Sequence, residues 1–197
     1  MTGEELYKKA ERLAREADRN GGALPVALLQ QAAATGYAPA LYALASWHLH
    51  GKGVRKNFKK ACALLTKAAD QRFAPAAYDL AVSYELGKGV AKSEKKAFAY
   101  YLQAANDGDL DAQTEVGRCY FYGIGTKQDF AQAVSWYTKA AERGDLEAQF
   151  ALGRAYELGE GVEPNLRQAI HWYERAASQD DKRAHQALID LNRPLRR

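Results

Sequence analysis

The sequence predicts an all-α chain built of αα-hairpins that repeat every 36 residues. Three observations carry that reading. A glycine pair returns at a fixed interval, small and aromatic columns return in step with it, and apolar residues between them keep helical spacing. The pairs are Gly51 with Gly53, Gly87 with Gly89, Gly123 with Gly125 and Gly159 with Gly161, with no insertion between them. An isolated hairpin would leave one apolar face wet, so the units must stack on one another.

Residues 1–22 form an N-terminal capping helix. Thr2 with Glu5 three residues on is a capping-box pattern, the helix runs to about Arg19, and Asn20-Gly21-Gly22 ends it. Residues 23–180 carry four full units and a flanking half-unit, beginning with a helix from Leu24 to Thr35 that matches a unit's second helix. In each unit the first helix holds a core column of Leu44, Leu80, Val116 and Leu152, and beside it the small residues Ala45, Ala81, Gly117 and Gly153 let backbones approach. Ala112, Val116, Cys119 and Tyr120 fall at i, i+4, i+7 and i+8, one face of a helix. The first glycine of each pair ends that helix, because glycine tolerates the left-handed conformation of helix C-termini. The second helix opens on an N-cap residue, Ser93, Asp129 or Asn165. Leu166, Ala169, Ile170, Tyr173 and Ala177 make its apolar stripe, and Tyr84, Tyr120, Trp136 and Trp172 are placed to fill the space between helix pairs. Residues 181–197 are a C-terminal capping helix and tail, with Asp181 to Leu191 helical, Ala184 and Leu188 in register, and Pro194 as the stop.

At these columns the chain resembles the Sel-one-like repeat family, a subclass of the tetratricopeptide-like α-solenoids. Ala148-Gln149-Phe150-Ala151-Leu152-Gly153, then Tyr156, Gly159 and Gly161, then Ala169 with Trp172-Tyr173, carry the motif intact. The resemblance runs from about Pro25 to Ala177 and implies a right-handed superhelix, a bacterial-type soluble chain and a role as an adaptor or scaffold that binds another protein. The sequence departs from the pattern at His48 in place of Tyr, Thr126 in place of Val, and Arg72 and Asp180 in place of the glycine between units.

Composition narrows the function classes. With 47% hydrophobic and 26% charged residues the chain affords a packed core. No apolar run has the roughly 18 residues of a membrane helix, and the charged N-terminus lacks the apolar segment of a secretory signal. A cytoplasmic location is therefore expected, or a secreted or periplasmic one if a leader precedes Met1. Cys62 and Cys119 have no zinc or disulfide spacing and read as small buried residues. Lys and Arg outnumber Asp and Glu by 16 to 9 over residues 1–96, and the order reverses, 6 to 11, over residues 97–168. The net charge of +4 thus conceals a basic front and an acidic middle.

No catalytic, cofactor or metal site is expected. Ser93-Glu94-Lys95-Lys96 matches S-x-x-K, and because some cysteine-rich members of the resembled family are proposed to bind or cleave β-lactams, an enzyme of that kind using Ser93 and Lys96 is the lesser alternative; the companion S-D-N and K-T-G elements and the repeated cysteine pairs are absent. Ser93 also falls at the helix-start column. His48 with His50, and His171 with Glu174, lack metal spacing, and Asp107, Asp109 and Asp111 lack the glycine and terminal glutamate of a calcium loop. Asp109 and Asp111 read instead as first-turn carboxylates favoured by the helix dipole.

Two surfaces remain. In tetratricopeptide-like stacks the first helices line a concave face, and by that analogy three columns point into it: Tyr42, Tyr78, Thr114 and Phe150; Ser46, Val82, Arg118 and Arg154; Leu49, Glu85, Phe121 and Glu157. Arg118 and Arg154, one repeat apart, would clasp an acidic segment or a terminal carboxylate, with Tyr78, Phe121 and Phe150 as aromatic anchors and Tyr42, Glu85 and Glu157 beside them as partner-binding residues. The alternative is that Glu85 and Glu157 neutralise the arginines. The second surface is a basic ridge of Lys52, Lys56, Lys59 and Lys60, repeated as Lys88, Lys92, Lys95 and Lys96. It reads as a solvated edge before an acidic protein partner, and nucleic acid is disfavoured because no aromatic residue interleaves with the lysines. The partner expected is another protein, with no small-molecule substrate and no membrane. An inhibitor or immunity-type regulator would use the same surfaces.

Overall fold

Short polar side chains set the helix starts. Asn57, Ser93, Asp129 and Asn165 each accept a hydrogen bond from the backbone N–H three residues on, and Asp109 and Asp145 do the same for the other helix of the hairpin. A computed structural model describes residues 1–192; Pro194, the expected stop, lies outside the described residues. Among the described residues eleven helices and no strand form: α1 (Gly3–Asn20), α2 (Val26–Ala34), α3 (Ala38–His50), α4 (Phe58–Ala69), α5 (Ala74–Leu86), α6 (Glu94–Asn106), α7 (Leu110–Tyr122), α8 (Phe130–Glu142), α9 (Leu146–Leu158), α10 (Leu166–Ala177) and α11 (Lys182–Leu191).

The capping box of α1 forms from both sides, with Glu5 N donating to Thr2 Oγ1 (3.2 Å) and Thr2 N to Glu5 Oε2 (2.8 Å). Helix α2 starts two residues later than expected. Leu24 precedes a proline, and the clash of the Pro25 ring with the residue before it disfavours helical geometry there. Asp109 is the N-cap of α7 rather than a first-turn residue, accepting from Ala112 N at 2.9 Å. Ser93 accepts from Lys96 N at 3.3 Å, and the Lys96 ammonium lies over the Tyr84 ring, so the S-x-x-K pair serves a helix start.

The chain divides into two compact units, Met1–Asp107 and Gly108–Arg197. In the first, each of α1 to α5 packs on its successor, and Leu65, Leu80 and Tyr101 are buried. In the second, α7 to α11 pack likewise around Val116, Leu152 and Tyr173. Cys62 and Cys119 are buried free thiols, and burial pushes the Cys62 thiol up.

Repeats are tied turn to turn. Gln71 Nε2 donates to Gly36 O (2.8 Å), Arg143 Nη1 to Gly108 O (2.9 Å) and Gln179 Nε2 to Gly144 O (3.0 Å), three residues of one column reaching the preceding inter-unit turn. The fourth member, Asp107, is an acceptor and cannot do this. There the direction reverses: the side chain of Arg72, which replaces the inter-unit glycine, donates from Nε to Asp107 Oδ1 at 2.8 Å.

Arg72 and Asp180 keep the left-handed backbone of the glycines they replace, with φ of 60° and 65°. Packing of the flanking helices therefore fixes this turn, and the side chain bears the strain. Asp180→Gly is expected to raise stability by about 1 kcal/mol, seen as a higher urea midpoint at unchanged slope. Arg72→Gly is expected to gain less, because it also removes the contact with Asp107.

Candidate functional site

The second unit contains a half-open pocket of about 420 Å³. Helix α7 supplies Thr114, Arg118 and Phe121 and helix α9 supplies Phe150 and Arg154, with Tyr137 of α8, Glu160 of the following turn and Arg183 of α11 completing the wall. Four of the residues expected to bind a partner, Arg118, Phe121, Phe150 and Arg154, are thus brought together. Thr114, which the sequence placed in the groove column without a binding role, joins them, as do Tyr137, Glu160 and Arg183, which the sequence did not single out as binding residues.

The arginines differ in how firmly they are held. Arg183 makes a two-pronged contact with Glu147 (2.9 and 2.8 Å), reaches Asp181 at 2.6 Å and lies over the Phe150 ring, 4.4 Å from its centroid. Asp181 caps α11 as well, and these contacts hold its carboxyl below the usual carboxylate range. Arg118 pairs with Glu115 at 2.7 Å. Arg154 comes no closer than 3.9 Å to Glu160, whose Oε2 is buried without a hydrogen-bond partner, as is Thr114 Oγ1. With Glu115, Glu147 and Glu160 facing three arginines, the lining is balanced in charge, and Arg154 has the weakest internal claim on it.

The remaining groove residues have internal roles in the structure. In the first unit Tyr42 packs on Phe73 and Tyr78 on Tyr101, with ring centroids 5.5 and 5.6 Å apart. Glu85 Oε2 accepts from the Tyr101 hydroxyl at 2.7 Å. In the second unit Phe150 packs on Tyr173 at 5.6 Å, and Glu157 Oε2 accepts from the Tyr173 hydroxyl at 2.6 Å. Burial raises the hydroxyls of Tyr137 and Tyr173 above the usual tyrosine range, with Glu157 adding to the effect at Tyr173.

The basic ridge lies wholly in the first unit. Lys52 is half-buried and bound to Asp18 at 2.8 Å; Lys56, Lys59, Lys60, Lys88, Lys92, Lys95 and Lys96 are exposed. Lys59, Lys60, Lys95 and Lys96 sit in the first turns of α4 and α6, where the helix dipole disfavours cations. The expectation that no aromatic residue accompanies the lysines is corrected: Phe58 lies under Lys56 (5.0 Å) and Tyr84 under Lys96 (5.2 Å), brought together by the loop between the paired helices. Tyr84 is also stacked on Tyr100, so its ring is engaged from within the chain.

Among the described residues no cluster of three His, Cys, Asp or Glu side chains is arranged to hold a metal ion, and no helix is long and apolar enough to cross a membrane.

Stacked helix hairpins repeating every 36 residues define a repeat protein of the α-solenoid class. The chain belongs to the Sel1 repeat family, whose profile matches residues 38–73, 74–109, 110–145 and 146–181. Proteins of this family serve generally as protein-interaction scaffolds. The chain is similar to a protective antigen, c5321, of uropathogenic Escherichia coli strains, which displays this repeat fold, with 30% identity and a TM-score of 0.86 over 97% of this chain and 44% of that one. It is similar to a Sel1 repeat protein from Oxalobacter formigenes, with 34% identity and a TM-score of 0.79 over 85% of this chain and 49% of that one. It therefore spans less than half the length of these two relatives. An immunity protein, Pa5087, of Pseudomonas aeruginosa matches at 25% identity and a TM-score of 0.51 over 92% of this chain and 67% of that one. A comparison with curated proteins finds no match.

Proposed function

We propose that this chain is a protein-binding scaffold and that the pocket of its second unit captures a segment of a partner protein. The observation that carries the reading is the convergence of Phe121 and Phe150 with Arg118 and Arg154 on one cavity large enough to take side chains. Aromatic and arginine residues in a recess are what interaction hot spots use, because they combine large apolar area with directed hydrogen bonds. Arg154 is the group left to meet an incoming acceptor. The basic ridge of the first unit adds long-range attraction for an acidic partner and speeds encounter. Glu157 supports the pocket from inside by holding Tyr173 of α10, as Tyr78 and Glu85 hold Tyr101 of α6 in the first unit, where Tyr42 packs on Phe73.

The test is affinity capture from native extract, with wild type beside an Arg118→Glu, Arg154→Glu variant whose helicity is checked by circular dichroism. The variant is expected to lose the retained partner, with an affinity drop of at least tenfold, about 1.4 kcal/mol. Equal retention by both proteins overturns the groove. An inhibitor of the immunity type is the second reading, favoured by the match to the Pseudomonas immunity protein; it predicts that the captured partner loses its own activity when bound.

A further inference from the structure

The third repeat breaks a rule that its neighbours obey. The second-helix tyrosines Tyr101, Tyr137 and Tyr173 occupy one column of the repeat. Tyr101 and Tyr173 are each embraced by the first helix of their own hairpin in the same way. An aromatic ring lies against the tyrosine ring at 5.6 Å, and a glutamate seven residues further on accepts from the hydroxyl at 2.6 to 2.7 Å. Tyr137 is placed just as Tyr173 is: a Cβ added at Gly117 would meet its ring at 2.6 Å, the same distance found between Gly153 and Tyr173. Yet both of its partners are missing. Thr114 stands where Tyr78 and Phe150 stand, and Phe121 stands where Glu85 and Glu157 stand. Among the described residues no ring packs on Tyr137 and no group hydrogen-bonds its hydroxyl. Thr114 is smaller than the rings of its column and leaves room beside Tyr137, and Thr114, Phe121 and Tyr137 all line the pocket.

The absent groups describe the occupant. From these substitutions we infer that the pocket takes an aromatic side chain flanked by a side-chain carboxylate, presented by a segment of the partner protein. The ring fills the place of the missing aromatic at Thr114 and packs on Tyr137. The carboxylate takes the place of the missing glutamate and accepts from the Tyr137 hydroxyl. Arg154, whose nearest carboxylate among the described residues is 3.9 Å away, supplies the complementary charge. Thr114 Oγ1, buried and unpartnered here, gains a hydrogen-bond partner in the bound segment's polar groups. Burial keeps the Tyr137 hydroxyl protonated far above neutral pH, so it remains a donor throughout the physiological range. This assignment rests on the proposed groove and specifies what that groove recognises.

The experiment supplies the missing groups from within. Thr114→Tyr restores the ring, and Phe121→Glu restores the carboxylate. The probes are fluorescein-labelled, end-capped nonapeptides with a central Glu-Phe-Glu, the same peptide with Phe replaced by Ala, and one with both Glu replaced by Gln, titrated by fluorescence anisotropy. The Glu-Phe-Glu peptide is expected to bind wild type at least tenfold tighter than either control. Thr114→Tyr is expected to weaken it at least tenfold without lowering the unfolding midpoint, and Phe121→Glu to weaken it by a similar factor. Tyr137→Phe, which keeps the ring, is expected to shrink the preference for Glu over Gln by threefold or more.

Equal binding of the three peptides, or full binding by a folded Thr114→Tyr variant, overturns the assignment. A peptide ending in a free-carboxylate Phe that binds tighter than Glu-Phe-Glu overturns the side-chain carboxylate as the source. If the Arg118→Glu, Arg154→Glu variant loses the native partner while Thr114→Tyr keeps it, the groove stands and this inference fails; if both keep it, both fail.

Discussion

Gly161→Ala is expected to destabilise the second unit by about 3 kcal/mol, through strain of about 1–2 kcal/mol and overpacking of about 1–3 kcal/mol. Gly161 has φ +80°, a region that costs a residue with a Cβ, and the added atom would lie 2.3 Å from both C and O of Phe130. Those are backbone atoms at the start of α8, which belongs to the preceding repeat. They cannot rotate away, so the helix itself would have to shift. Gly89→Ala repeats the situation in the first unit, with Phe58 O at 2.4 Å. Gly53→Ala provides the control: its φ is +67°, but the nearest atoms are the side-chain ends of Leu24 and Val26 at 2.9 and 3.1 Å. Flexible side chains can yield, so Gly53→Ala is expected to cost about 1–2 kcal/mol, mostly backbone strain. Urea unfolding followed by circular dichroism measures all three. Equal losses would show that conformational strain, and not the approach of one repeat to the next, explains the second glycine of each pair.

The periodicity that makes this contact recur also made the helices legible. Each cap column and each first glycine of a pair fell where the sequence placed it, because capping and left-handed termination are local chemistry. Pairing between helices is not local, and there the reading was incomplete. Tyr42, Tyr78 and Phe150 lie on the face expected to look into a groove, yet each is half-buried on a ring, that of Phe73 before α5 for Tyr42 and of the partner helix for Tyr78 and Phe150. A single helix's spacing cannot show that a neighbour reaches across to it. Glu85 and Glu157, placed by the sequence among the partner-binding residues or as counter-charges to arginine, also accept from tyrosines sixteen residues on, a contact the spacing did not reveal. Arg183 was invisible as a site residue because its role depends on α11 reaching back to Glu147. The signal for the pocket was present as Thr114 in an aromatic column, but a missing ring has meaning only once the ring it should touch is known.

Tyr173 gives the second large effect, and its comparison with Tyr137 separates packing from hydrogen bonding. Tyr173→Ala is expected to cost about 4 kcal/mol, because a ring buried against Gly153 and Phe150 is lost and the helices cannot close over the void. Tyr173→Phe keeps the ring and removes only the 2.6 Å bond to Glu157, so about 1.5–3 kcal/mol is expected, the range for bonds to charged groups. Tyr137→Phe removes a hydroxyl that has no acceptor among the described residues, and less than about 0.5 kcal/mol is expected, the scale of substitutions that break no buried interaction. The alkaline limb of stability tests the same assignment. Both folded hydroxyls titrate above the usual tyrosine range, so the folded state holds its protons after the unfolded chain has begun to lose them. Their contribution is therefore complete below about pH 10, the ordinary tyrosine pKa, and is lost as the pH rises toward the folded values. Wild type should lose stability steeply above that point, and the Tyr137→Phe, Tyr173→Phe double variant should lose it less steeply. An unchanged slope would mean that neither hydroxyl is shielded by the fold. A Tyr137→Phe cost as large as that of Tyr173→Phe would mean that Tyr137 already has its acceptor within the chain, leaving nothing for a partner's carboxylate to supply.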